Sequence, residues 1–219
     1  MIEDSTMNNG SVLSDILFHE PCPRVEQICS PAGEPSVSGL HERVVRHCSP
    51  TLAGLKCGSM FKLNAEHHVV LCELRDMHRT ICHRGVRVLV LCSDSNGPLL
   101  YIYRPRLLAK RLEDPEVVDF LRGYGYRVEG VNKTLRELRD RFSTCPMPPE
   151  IGVFLDYPMV DVKGYIENEG RCCRCIGCWK VYGDVDAAEK RFMSYKKCRD
   201  IYSKRLMQGV PLEKLAIRC

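Results

Sequence analysis

The chain reads as a single layered α/β domain, and three stretches say so. Val86 to Cys92 (VRVLVLC) is β-branched and almost wholly apolar, the pattern of a strand buried on both faces. Val70, Leu74, Met77 and Ile81 step by four, three and four, a helical stripe. Ile151–Leu155, a helix from Pro158 carrying Met159, Val162 and Ile166, and Cys178–Tyr182 then alternate as strand, helix, strand. Together they predict a mixed sheet of about four to five strands, a hairpin plus a strand–helix–strand unit, flanked by helices.

The elements follow in order. Residues 1–39 are rich in Ser, Pro, Gly and Asn (SPAGEPSVSG) and read as weakly structured, with an apolar patch over Val12–Phe18 able to dock as a helix. The domain is expected over 40–219. Leu40–His47 reads as a short helix stopped by CSP. Ser49 then caps a second helix with Pro50 at its first position, where the missing N–H costs nothing. Leu52, Leu55 and Phe61 give that helix an apolar side. The striped helix ends at Gly85, a C-cap residue. DSNG turns the chain from the VRVLVLC strand into a hairpin partner, Leu99–Tyr103. Asp114 and Pro115 open a helix closed by Gly123. Asn132 caps another, with Val131, Leu135, Leu138 and Phe142 on one side. Asp184 caps a long helix to about Gln208, and Leu212–Ile217 reads as a last edge strand.

At 219 residues the chain is long enough to bury a core without disulfides, and a net charge of +4 is too mild to argue for nucleic acid as the natural partner. MIEDSTMNNG is not a secretory leader, and no apolar run approaches a membrane span. A cytoplasmic protein is expected. In that compartment its fourteen cysteines stay reduced and act as ligands, redox groups or passive thiols.

Five of those cysteines fall between Gly170 and Tyr202. Cys172, Cys175 and Cys178 form C-x2-C-x2-C, with Cys173 beside them and Cys198 a helix-length on. Two intervening residues let paired sulfurs turn onto one ion, so a zinc site or an iron–sulfur cluster is one expectation, with Cys173 or Cys198 completing the shell. The alternatives are a dithiol redox pair and thiols without a role. Cys198 also falls on the apolar stripe Ala188, Phe192, Tyr195, Cys198, Tyr202, where a free cysteine serves as a small hydrophobe.

A second constellation is catalytic. Cys48 is expected just ahead of a helix N-terminus, where free N–H groups and the dipole favour a thiolate. Lys56 lies two turns on, with a strand-end acid nearby. Glu150, Asp156 and Asp161 flank the expected strand at 151–155, and ligand sites gather at strand ends. The competing reading of each acid is capping and solvation. His67, His68, His78 and His83 match no metal motif. Arg104, Arg106, Lys110, Arg111, Lys133, Arg136, Arg139 and Arg141 read as a solvated face, or else as a phosphate-facing patch or an interaction surface of a plain protein-binding domain.

HCSPTLAGLKCGSMF, EIGVFLDYPMVDVKGYIENEG and GCWKVYGDVDAAEKRFMSYKKCRDIY resemble, in order and spacing, the three signature blocks of a clostridial family known as domain of unknown function 3793. The resemblance covers Leu40 to the C-terminus. It implies a cytoplasmic domain of anaerobic bacteria. Through the family's association with flavodoxins and iron uptake, it also implies an accessory role in iron or redox biology with a flavodoxin-like partner. Where the family carries GYWKVY this chain has Cys178 before Trp179, and the CCRC run is extra.

Overall fold

The computed structural model describes residues 39–63, 67–95 and 97–218, without the side chains of 67–71. The expectations for residues 1–38, including the docking helix at Val12–Phe18, and those for the His67 and His68 side chains lie outside the described residues.

In chain order the elements are α1 (Leu40–Leu52), β1 (Gly58–Lys62), α2 (His67–Cys82), β2 (Arg87–Asp94), β3 (Gly97–Tyr103), α3 (Pro105–Arg111), α4 (Pro115–Gly123), α5 (Val131–Phe142), α6 (Ile151–Phe154), α7 (Met159–Glu167), β4 (Cys175–Ile176), β5 (Lys180–Val181), α8 (Val185–Met207) and α9 (Leu212–Leu215). The strands form a three-stranded antiparallel sheet in the order β1-β3-β2 and a separate β4–β5 hairpin. The sheet is therefore smaller than expected and not mixed.

β3, at the centre of the sheet, is the strand buried on both faces. Its residues are all buried, and they alternate as the pleat requires. Leu99, Tyr101 and Tyr103 enter one apolar cluster with Leu108, Val117, Leu121, Leu135, Leu138, Val153 and Phe154. Leu100 and Ile102 enter the other with Val44, Cys48, Leu52, Met77, Ile81 and Leu212. Helices thus cover both faces, and a layered α/β architecture stands. β2, expected to be doubly buried, is an edge strand, only half-buried over Arg87–Val90, with an irregularity between Val90 and Cys92.

Several elements differ from expectation. α1 runs unbroken through Pro50. Pro50 lacks the N–H that would bond the Arg46 carbonyl, a single loss the helix carries in its last turn, and Leu55 N–H reaches the Pro50 carbonyl at 2.8 Å. The expected second helix is absent because Gly54 adopts φ +72° and turns the chain into β1. IGVF, expected as a strand, is one helical turn, α6, and Leu212–Leu215 is a turn of helix instead of an edge strand. Both are apolar runs too short for periodicity to separate helix from strand. Other expectations hold. Asp114 accepts from Glu116 N–H at 2.9 Å and Asp184 from Ala187 N–H at 3.0 Å, each at a helix start. α5 takes its cap from Gly130, with Asn132 inside the first turn.

Arg104 was expected on a solvated face and is instead 2% exposed. Its guanidinium donates to the Thr51 and Leu52 carbonyls at the end of α1, to Ile217 O at 2.9 Å and to Arg84 O at 3.4 Å. A cation against orphan C-terminal carbonyls complements the helix dipole as well as the hydrogen-bond demand. Among the described residues no helix is long and apolar enough to cross a membrane.

Candidate functional site

The site forms where three distant segments meet: the α1–β1 loop, the bend after α6, and the β4–β5 hairpin packed on α8. Lys56 supplies its centre. The residue is 9% exposed, and its ammonium nitrogen lies 5.5 Å from the Tyr157 ring centroid and 5.6 Å from that of Tyr195. It has no hydrogen bond or ion pair with any described residue. Burial lowers its pKa below the ordinary 10.5; the fields of Cys57, Cys178, Asp156 and Cys48 oppose that shift and are outweighed. Burial penalises the charged form by more than the ring faces and nearby acidic groups return, so the balance shifts towards the neutral amine.

The rings are held by packing. Trp179 stacks on Tyr157 at 5.0 Å, meets Phe192 edge-on at 4.5 Å and approaches Tyr195 at 6.5 Å. With Val181 and Ala188 they make a small third core. Asp161 locks it. Its carboxylate accepts from Trp179 Nε1 at 2.7 Å and from the backbone N–H groups of Tyr182 and Gly183, each at 2.8 Å. Asp161 is thus a buried structural clamp.

Asp156 takes the left-handed conformation at φ +62°, which aspartate tolerates better than most residues. Its Oδ2 accepts from Cys57 N–H at 3.3 Å, its Oδ1 lies 4.0 Å from Arg111 Nε, and Arg111 also donates to the Tyr157 carbonyl at 2.6 Å. Glu150, fully buried, instead pairs with Arg141 and accepts from Tyr126 at 2.9 Å, away from Lys56.

The thiols are dispersed. Among the described residues no group of three or more His, Cys, Asp or Glu is gathered where it could hold a metal ion. The expected convergence of Cys172, Cys173, Cys175, Cys178 and Cys198 is therefore not formed. The C-x2-C of Cys175 and Cys178 is folded into the β4–β5 hairpin, where Cys175 pairs with Val181 and packs on the Trp179 cluster. Cys178 sits in the turn, on the surface, yet with enough protein about its sulfur that burial raises its pKa, which Lys56 partly offsets. Cys172 is exposed in the preceding loop, Cys173 half-buried, and Cys198 is buried on α8.

Cys48 is not ahead of a helix N-terminus. It lies inside α1, one turn from its C-terminal end, and is wholly buried. Burial drives its thiol far up, and Cys57, whose Sγ donates to Phe154 O at 3.5 Å, is pushed up to about 12. Neither thiol is primed as a nucleophile. Of the residues singled out in the sequence, Asp156, Cys178 and Cys48 all lie within electrostatic reach of Lys56. Tyr157 and Tyr195 were missed as site residues, although Tyr195 lay on the recognised α8 stripe.

A family model described as "Protein of unknown function (DUF3793)" matches residues 44–216. No curated protein and no solved structure matches the chain.

Proposed function

Because the chain belongs to the DUF3793 family, whose description carries no activity, we propose from site geometry that it captures a small carbonyl compound covalently through the Lys56 amine. The observation that carries this reading is a lysine 9% exposed between two tyrosine rings, with no described hydrogen-bonding or ionic partner. A buried lysine whose pKa is lowered has a larger share of the neutral, nucleophilic amine than a surface lysine. Its nitrogen attacks the carbonyl carbon as the C=O π bond breaks. The two amine protons leave with the carbonyl oxygen as water, and an imine remains. No oxidant, reductant or metal is needed. Tyr157 and Tyr195 would shield the imine from water, and Asp156 lies close enough to influence the charge on the nitrogen.

The test is reductive trapping. The folded protein is treated at pH 7 with acetaldehyde and cyanoborohydride, and the modified lysines are mapped by mass spectrometry. Lys56 is expected to be alkylated ahead of the surface lysines, and denaturation should erase that preference. Labelling of surface lysines while Lys56 stays untouched in the folded protein would refute the proposal.

A further inference from the structure

On the far side of the Arg104 clamp, a cleft of about 380 Å³ opens between the α2–β2 turn, the β3–α3 junction and the C-terminal tail. Arg84, Arg87, Arg104, Arg106, Arg218 and His83 all line it, and among the described residues no aspartate or glutamate does. Five guanidinium groups in one cleft, on a chain whose net charge is only +4, are a steep local concentration of positive charge. Some of that capacity is already committed. Arg104 holds backbone carbonyls, and Arg87 donates to the Cys82 and Val86 carbonyls. Glu213, at the edge, bonds His83 at 2.9 Å and Arg84 at 3.4 Å. The Arg84 Nε is nevertheless buried without a hydrogen-bond partner, a donor that an oxyanion would satisfy.

We infer that this cleft binds a small molecule carrying a phosphate or diphosphate group. Guanidinium forks match the oxygens of phosphate bidentately, and several together favour a multiply charged oxyanion over a monovalent one. The concave shape suits a compact ligand better than a polymer, which would need an extended basic track. This inference does not depend on the chemistry at Lys56, which a different set of residues forms.

Calorimetric titration of the whole chain with pyrophosphate, inorganic phosphate and sulfate, at matched ionic strength, tests it. Pyrophosphate is expected to bind at least tenfold more tightly than sulfate, and inorganic phosphate to fall between them. Arg106→Ala and Arg218→Ala should each weaken pyrophosphate about tenfold, the usual effect of losing one charge-assisted contact. Both variants should keep the wild-type far-ultraviolet dichroism, which separates a lost site from a lost fold. Equal binding of all three anions, or variants that bind as wild type does, would overturn the inference. So would a single-stranded oligonucleotide that outcompetes pyrophosphate at the same salt, because it would identify the cleft as part of a nucleic-acid face.

Discussion

Lys56→Met is the sharpest probe of the site. Methionine keeps most of the apolar stem and removes the amine. Taking an ammonium out of water costs several kcal/mol even after relaxation. The two tyrosine faces at 5.5 and 5.6 Å return about 1–2 kcal/mol each. Methionine needs no hydration and gains contact with the same rings through sulfur. The variant should therefore be more stable than the wild type by about 1–3 kcal/mol at pH 7, or roughly 3–8 °C in melting temperature for a chain of this size. Urea unfolding followed by far-ultraviolet dichroism reads the difference, with equal m-values required for the comparison.

The sign with pH gives a second readout. Lys56 has a folded pKa below its ordinary 10.5. Between the two values the unfolded chain carries one more proton than the folded one. Wild-type stability should thus rise with pH through that window, and the Lys56→Met variant should lack this contribution. A variant destabilised by more than about 1 kcal/mol, with the slope unchanged, would mean that the amine has partners which hold it charged, and the account of the site would fail.

Two further outcomes are expected. Asp161→Ala strands the indole N–H of Trp179 and two backbone N–H groups, and at about 1–2 kcal/mol for each buried donor left unpaired it should cost roughly 3–6 kcal/mol. Trp179 is the only tryptophan, so a red-shifted emission should accompany the lower urea midpoint; an unshifted spectrum would count against the clamp. Cys57 titrates in the folded chain at about 12 against an ordinary 9.0, so between those values the unfolded state loses a proton that the folded state keeps. Its share of stability should fall across that window by about 1.4 kcal/mol per pH unit, and Cys57→Ala should show a correspondingly flatter alkaline limb in urea midpoints measured against pH.

Long periodic segments with explicit end signals were legible in the sequence. The α2 stripe, the β2–β3 hairpin and the Asp114 and Asp184 caps are local statements, decided within a few residues. The ends of α1 are not local. Pro50 signals a stop, but the helix continues to Leu52 because Arg104, more than fifty residues away, satisfies its terminal carbonyls. β1 is hidden because Leu52, Leu55 and Phe61 fit a helical face, against which Gly54 and Gly58 are the only local signals. Gly58 has a tertiary cause: a Cβ there would fall 2.3 Å from the Tyr101 hydroxyl and 2.6 Å from the Phe154 carbonyl. At the site, Lys56, Asp156 and Cys178 could be named singly, but their meeting depends on long-range packing that no spacing rule contains. The cysteine spacing suggested a shared ion because C-x2-C also fits a metal knuckle. Here it closes a hairpin instead, sending Cys175 to the tryptophan cluster and Cys178 to the turn.

A buried lysine alone would be a weak foundation, since a loose loop can fold a side chain inward by accident. The backbone around Lys56 argues otherwise. Cys57, its immediate neighbour, is gripped three ways: its carbonyl accepts from Arg104 N–H at 2.8 Å, its N–H donates to Asp156 at 3.3 Å and its thiol to Phe154 O at 3.5 Å. On the other side, the left-handed Gly54 and the α1 terminus clamped by Arg104 fix where the loop departs. Asp156 in turn takes a left-handed conformation in the act of holding Cys57, a cost borne where two segments must meet at one point. Several independent contacts thus fix Cys57 and the start of the loop on either side of Lys56, while the amine has ring faces beside it and no hydrogen bond to a described residue. Folding alone would favour an apolar side chain at that spot, and the proposed chemistry at Lys56 accounts for an amine with no hydrogen-bond partner among the described residues.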